Sequence, residues 1–231
     1  MTSPLSNHPA AWRRELLAAG QQPHDICAQL AAGFDILRGP GGPPIHIKNY
    51  KSAIANFGVV TAMVADLVKN DWAAGPFPHE PFEDSYINAL AAVPKRDTDE
   101  LRLVVDCRRS NTNATVADLP FQFKGVEEAV RLLRPGWHMA KVDLRAAYMH
   151  VPIRPDDFNF FCFEWDGSFY HFKRLPFGLK SAPFIFSGLS DAVALMAKRR
   201  GIKIVNYLDD FLLVARTHAQ CAAAAHTFKN C

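Results

Sequence analysis

The sequence lacks any apolar run of the roughly 18–20 residues that a membrane-spanning helix requires. Its first tract, MTSPLSNHPAAWRRELLAAG, also lacks an apolar segment long enough for a secretory signal peptide. From these two absences we expect neither a membrane-spanning nor a secreted protein. We therefore expect an intracellular protein, cytoplasmic or nuclear, that has no membrane partner.

Cysteine and excess charge are both scarce. The 231 residues include five cysteines, an odd number, with no CxxC pair and no spacing typical of metal ligands. This pattern is typical of reduced thiols inside a cell rather than of a disulfide framework, and it argues against a zinc site of the usual kind. The formal net charge is only +3, so composition by itself gives little support for a nucleic-acid partner.

The most unusual segment present is VNYLDDFLLVA, in which Asp209 and Asp210 interrupt an otherwise apolar run. The flanking residues predict two buried strands, and a buried ionised carboxylate costs several kcal/mol unless a partner neutralises it. That partner could be a Lys, an Arg or a divalent cation. Alternatively, the two carboxylates form only the polar turn of a hairpin.

Asp143 is a third carboxylate in a similar setting, because it ends the predicted strand HMAKVD. If this strand lies beside the 203–215 hairpin, Asp143 and Asp209 meet at one edge of a sheet. Clustered carboxylates on rigid strands suit Mg²⁺, and two such ions support phosphoryl or nucleotidyl transfer. A competing interpretation is that Lys141 or Arg145, each two residues away, neutralises Asp143.

The remaining pattern predicts both helices and antiparallel strands. Apolar residues at helical spacing predict an amphipathic helix after Ser52, with Ile54, Phe57, Val60, Val64 and Leu67 on its buried face. From residue 138 the order is strand, two-strand excursion joined by Asp166-Gly167, helix and hairpin. This order predicts an α+β fold with helices on one side of an antiparallel sheet.

Three tracts occur in an order and at a spacing that resemble the central motifs of reverse transcriptases. They are AKVDLRAAYMHVPI (140–153), RLPFGLKSAPFIF (174–186) and VNYLDDFLLV (205–214). Upstream, VPKRDTDELRLVVDCRRSN (93–111) resembles the fingers hairpin of the same family, so the resemblance covers about residues 50–225. Within the family, the tracts NYKSA and GPF are most similar to DIRS-like retrotransposons.

The resemblance implies roles for particular residues. Asp143, Asp209 and Asp210 would be the catalytic residues that hold two Mg²⁺ ions, with Mn²⁺ as a substitute. Tyr148 falls where the family has an aromatic steric gate that excludes a ribose 2′-OH. The residues implied to bind the incoming dNTP are Lys95 and Arg102 at the triphosphate, Tyr148 at the sugar, and Phe177 and Gly178 beside the nascent base pair.

The resemblance also implies an architecture: a palm with a ferredoxin-like antiparallel sheet backed by helices, a fingers subdomain and no thumb. The expected segments are an N-terminal extension and linker at 1–48, fingers at 49–137 and a partial palm at 138–231. Residues 154–175 would return to the fingers as a hairpin. The sequence departs from the family in carrying Arg96 where many relatives have a second Lys, and Phe177 where retroviral members have Gln.

The function implied is RNA-directed DNA polymerisation, in which dNTPs are added to a primer 3′-OH on an RNA or DNA template. One alternative is a truncated or domesticated polymerase-like domain that binds nucleic acid or a partner without catalysis. A second is a two-metal nuclease or phosphatase, against which the PFGL tract and Tyr148 both argue.

Overall fold

The computed structural model describes residues 9–18, 24–95, 98–118 and 126–229. It confirms an α+β fold. The helices are α1 (Pro9–Ala18), α2 (His24–Ala32), α3 (Lys51–Ala55), α4 (Phe57–Lys69), α5 (Val126–Leu132), α6 (Ala182–Arg199) and α7 (His218–Lys229). The strands are β1 (Ala73–Phe77), β2 (Ala89–Pro94), β3 (Leu101–Asp106), β4 (His138–Asp143), β5 (Cys162–Trp165), β6 (Ser168–Phe172), β7 (Lys203–Tyr207) and β8 (Asp210–Ala215).

The chain divides into two compact units, each built from separate stretches of sequence. Unit 1 comprises Met1–Ala28, Pro120–Ala147 and Pro183–Cys231, and unit 2 comprises Gln29–Leu119 and Tyr148–Ala182. The division into an N-terminal extension, fingers and a partial palm stays a prediction. Among the described residues, no helix is both long and apolar enough to cross a bilayer.

Unit 1 is organised by an antiparallel three-stranded sheet in the order β4-β8-β7. Alternate residues point to opposite faces of a strand, and one face carries Val142, Ile204, Phe211 and Leu213. These side chains are buried together with residues of α6 and α7, including Phe228. Asp143 and Asp210, which are adjacent in sequence to Val142 and Phe211, point to the opposite face at one end of the sheet.

Unit 2 contains the sheet β1-β6-β5 and the separate hairpin β2-β3. The predicted turn at Asp166-Gly167 is present, with φ of 49° and 69° at the two residues. Asn88 is fully buried, and its amide donates hydrogen bonds to the carbonyls of Phe160 and Cys162. This buried amide ties β2 to the segment that enters β5.

Two local predictions were wrong in part. The helix after Ser52 is broken at Asn56, whose side chain donates to the Ser52 carbonyl at 2.8 Å. Ile54 and Phe57 are therefore exposed rather than buried, and Phe57 stacks on Trp165 at 5.1 Å between ring centroids. The tract FNFFCFEW, which precedes Asp166-Gly167, predicts a strand along its whole length, but its residues before Cys162 belong to a 3-10 helix, Pro155–Phe161.

Candidate active site

The three predicted carboxylates come together at one end of the unit 1 sheet. In the antiparallel pairing of β4 with β8, Asp143 lies directly opposite Asp210. Asp209 precedes Asp210 in the turn, and its carbonyl accepts a hydrogen bond from the Leu144 N–H at 3.1 Å. Strand pairing therefore places residues that are far apart in sequence side by side.

The turn that carries Asp209 is tight. Tyr207 pairs with Asp210, so only Leu208 and Asp209 connect β7 to β8. Leu208 has φ of 51°, a left-handed conformation that costs a residue with a side chain about 1 kcal/mol or more. The surrounding contacts have to hold this backbone in place.

The electrostatics of the turn suit a cation. Burial raises the pKa of the Asp209 carboxyl, and the negative charges of Asp210 and Asp143 raise it further. The Oδ1 atom of Asp210 is buried and has no hydrogen-bond partner. Like-charge repulsion and an unsatisfied oxygen are both relieved by a bound divalent ion, so these residues fit the predicted magnesium ligands.

Lys141 is the cation that the structure places at the site. Its Nζ lies 2.9 Å from Oδ2 of Asp210, and this partner raises the pKa of the Lys141 ammonium. The sequence leaves open that Lys141 neutralises Asp143, but the ion pair that the structure contains reaches diagonally across the strands to Asp210. Within the described ranges, no group of three or more His, Cys, Asp and Glu side chains is arranged to hold a metal ion, so the two-ion site stays a prediction.

Tyr148 and Phe177 contact each other in unit 2. Their rings meet edge to face, with centroids 4.9 Å apart and an interplanar angle of 85°. Tyr148 is buried, whereas 42% of Phe177 is exposed. The partly exposed Phe177 ring therefore packs against the buried Tyr148 ring.

Gly178 allows a close approach of two backbone segments in unit 2. It has φ of 110°, and a Cβ added there would lie 2.0 Å from the Val105 carbonyl oxygen. Its own carbonyl accepts a hydrogen bond from the Asn113 side chain at 2.9 Å. The residue is therefore required by the packing of the PFGL loop on the end of β3, whatever else it contacts.

Lys95 and Arg102 lie on the β2-β3 hairpin, and both are exposed. The Lys95 ammonium is 2.5 Å from Oε2 of Glu100, which holds the pKa of that carboxyl below its usual value. Arg102 lies opposite Val93 in the strand pairing. The expected difference at Arg96 falls outside the described residues.

Two buried polar residues near the carboxylates were not identified from the sequence. Asn206 and Ser190 are 2% and 1% exposed, and both belong to hydrogen bonds that end at the Leu208 carbonyl. The signal was present in β7, where Asn206 is a polar residue at a position that alternation assigns to the core face.

Comparison with known proteins is consistent with this geometry. The family model described as "Reverse transcriptase (RNA-dependent DNA polymerase)" matches residues 93–231. The retrovirus-related Pol polyprotein from transposon 412 of Drosophila melanogaster is 26% identical over 200 residues, which are 81% of this chain and 14% of the relative. The Gag-Pol polyprotein of avian reticuloendotheliosis virus is 27% identical over 191 residues, covering 78% and 16% of the two chains.

Solved structures of foamy virus proteins share the fold. The foamy viral protease-reverse transcriptase in complex with dsDNA aligns with a TM-score of 0.63 at 22% identity, covering 84% of this chain and 38% of the other. The prototype foamy virus protease-reverse transcriptase gives 0.62 at 20% identity, covering 95% and 31%. The present chain spans less than a fifth of the curated relatives described above.

Proposed function

This chain belongs to the reverse transcriptase (RNA-dependent DNA polymerase) family, and from that premise we propose that it is the fingers and partial palm of a retroelement-derived RNA-directed DNA polymerase. The pairing of Asp143 with Asp210 beside Asp209 is the observation that supports this proposal most strongly. The unit 1 sheet would be the ferredoxin-like palm. The DIRS-like relationship, the lack of a thumb and an intracellular location stay predictions.

The proposed reaction is nucleotidyl transfer. The primer 3′-OH gives up its proton to solvent water and its oxygen forms a bond to the α-phosphorus of a dNTP. The bond from the α-phosphorus to the bridging oxygen of the β-phosphate breaks, and pyrophosphate leaves with that electron pair. Asp143, Asp209 and Asp210 would hold two Mg²⁺ or Mn²⁺ ions, which lower the pKa of the 3′-OH and stabilise charge on the leaving group. Asp210 would exchange its contact with Lys141 for this role.

The basic residues of the β2-β3 hairpin would bind the triphosphate. Arg102 is exposed and can present a planar fork to phosphate oxygens. Lys95 would have to break its ion pair with Glu100 before it could contact a phosphate, and this cost reduces its contribution to the affinity for the triphosphate. Phe177 and Gly178 are proposed to lie beside the nascent base pair.

We expect Tyr148→Ala to relax the exclusion of ribonucleotides by roughly 10-fold or more, because the proposed steric gate loses its ring. The measurement is the ratio of kcat/KM for dTTP to that for UTP in primer extension. Phe177→Ala is the companion variant, since it removes the ring that contacts Tyr148 and leaves the gate itself in place. Unchanged sugar discrimination in Tyr148→Ala would show that this residue is not the gate.

Template-primer binding is proposed to rest mainly on phosphate and sugar contacts. One of the foamy virus structures is a complex with dsDNA, which supports a nucleic-acid partner for this chain. Contacts of this type make affinity fall steeply with salt and depend little on sequence.

Extension of oligo(dT) on poly(rA) with dTTP and Mg²⁺ tests the proposal directly. Incorporation is expected, and it should stop when the metal is removed with EDTA. Salt-sensitive binding of template-primer without incorporation would instead support the alternative of a truncated or domesticated domain that binds nucleic acid. The short span of the chain relative to its relatives favours testing that alternative.

A further inference from the structure

A chain of buried hydrogen bonds ends on the turn that carries Asp209. The Asn206 side-chain amide donates to Oγ of Ser190 at 2.9 Å, and Oγ of Ser190 donates to the Leu208 carbonyl at 2.7 Å. The same Asn206 amide donates to Oδ1 of Asp191 at 2.7 Å. Ser190 and Asp191 lie in the middle of α6, so the helix behind the sheet is joined directly to the turn.

We propose that Ser190 and Asn206 are positioning residues that fix the orientation of Asp209 for catalysis. This inference rests on the proposed polymerase function and names residues of the same site. Neither side chain would touch a substrate. Ser190 would act through the backbone, and Asn206 would act through Ser190.

The physical reason is the planarity of the peptide bond. The Leu208 carbonyl and the Asp209 nitrogen belong to one rigid plane, so a hydrogen bond to that carbonyl fixes the direction in which the Asp209 backbone begins. On the other side of the residue, the Asp209 carbonyl accepts from the Leu144 N–H. Asp209 is thus held by one hydrogen bond in each of its two peptide planes.

The left-handed conformation of Leu208 makes this restraint necessary. A strained residue of this kind persists only where the surrounding structure over-determines it, and the Ser190 hydroxyl is the contact aimed at its carbonyl. Asn206 orients the Ser190 hydroxyl. Because Oγ of Ser190 accepts a hydrogen bond from the Asn206 amide, its own proton is directed at the Leu208 carbonyl.

A purely structural interpretation is that these polar groups only satisfy one another's hydrogen-bonding capacity in the core. Buried polar groups are normally hydrogen-bonded, and a purely structural role would affect the free energy of unfolding alone. The positioning role additionally predicts a local change at Asp209. The two interpretations can therefore be distinguished by a local measurement at Asp209, such as amide hydrogen exchange, which does not depend on the global free energy of unfolding.

The test compares Ser190→Ala with Ser187→Ala, which removes a half-buried hydroxyl one turn earlier on α6. Amide hydrogen exchange in folded protein is expected to be roughly 10-fold faster at Leu144 in Ser190→Ala, with exchange at Leu213 unchanged. In primer extension, kcat should fall roughly 10- to 100-fold with little change in the KM for dNTP. Ser187→Ala should show neither effect.

Asn206→Leu keeps the proposal testable if Ser190→Ala does not fold. It removes the amide that orients the Ser190 hydroxyl. Faster amide exchange at Leu144 and a lower kcat are again expected, but both effects should be smaller than in Ser190→Ala. Unchanged Leu144 exchange in a folded variant would overturn the positioning role even if the wild-type chain extends primers. Faster Leu144 exchange together with an inactive wild-type chain would instead support the restraint and count against the polymerase function.

Discussion

Asp209→Asn is expected to reduce primer extension by more than about 100-fold. Mutation of a residue that only hydrogen-bonds to a metal ligand already lowers metal affinity or activity by about 10- to 100-fold, and loss of a ligand should cost more. The variant loses the negative charge that a divalent ion requires, while its size is nearly unchanged. Asp143→Asn should behave in the same way because Asp143 lies opposite Asp210 in the sheet. The measurement is single-nucleotide incorporation under saturating dTTP and template-primer.

The fold of Asp209→Asn should be preserved. The folded-state pKa of Asp209 is raised by burial and by its carboxylate neighbours, so the ionised form destabilises the native state at neutral pH and stability increases as pH falls through that pKa. Removing the charge should leave the free energy of unfolding at pH 7 unchanged or slightly higher. Asp166→Asn is the control for the same change of charge, since it lies in the hairpin turn of unit 2 and Asn tolerates positive φ. Normal extension by a folded Asp209→Asn would refute the assignment.

Gly178→Ala is expected to destabilise the protein by about 3 kcal/mol or more, because backbone strain and steric overlap act together. The added Cβ would lie 2.0 Å from the Val105 carbonyl oxygen at a φ of 110°. Neither backbone segment can move aside as a flexible side chain could. The measurement is the denaturant midpoint of unfolding.

Gly167→Ala separates the two contributions. Gly167 also has positive φ, at 69°, but an added Cβ would meet nothing within 4 Å. This control should cost only about 1 kcal/mol. Equal effects of the two substitutions would show that the close approach to Val105 contributes nothing.

The sequence was sufficient to predict those features that depend on neighbours in the chain. The tract HMAKVD was predicted to be a strand that ends at Asp143, and Asp166-Gly167 predicted the β5-β6 hairpin; both are present. The apolar runs on either side of Asp209-Asp210 predicted a hairpin, which is also present. Asp143 was expected to meet Asp209 at one edge of the sheet if those strands paired. The strands do pair, and Asp143 lies opposite Asp210, the residue that follows Asp209.

Features that depend on distant parts of the chain could not be predicted in this way. The Lys141 contact with Asp210 crosses between strands whose register was not known in advance. Gly178 was expected to lie beside the nascent base pair, which stays a prediction; its close approach to the Val105 carbonyl, on a strand far upstream, could not be foreseen from the sequence. The exposed Phe57 ring stacks on Trp165, a partner from a distant part of the chain that the helical spacing around Phe57 does not identify.

The discontinuous construction of unit 1 has a consequence for how the protein is synthesised. The strand β4 leaves the ribosome before the whole of Tyr148–Ala182 and α6, and its partner β8 follows only after these have been translated. Long-range antiparallel pairing of this kind is slow to form, so the nascent β4 exposes an open edge that invites aggregation. Expression of polypeptides that stop before Asp210 should therefore yield insoluble material, and slower translation between the two strands should lengthen the period in which chaperones are needed.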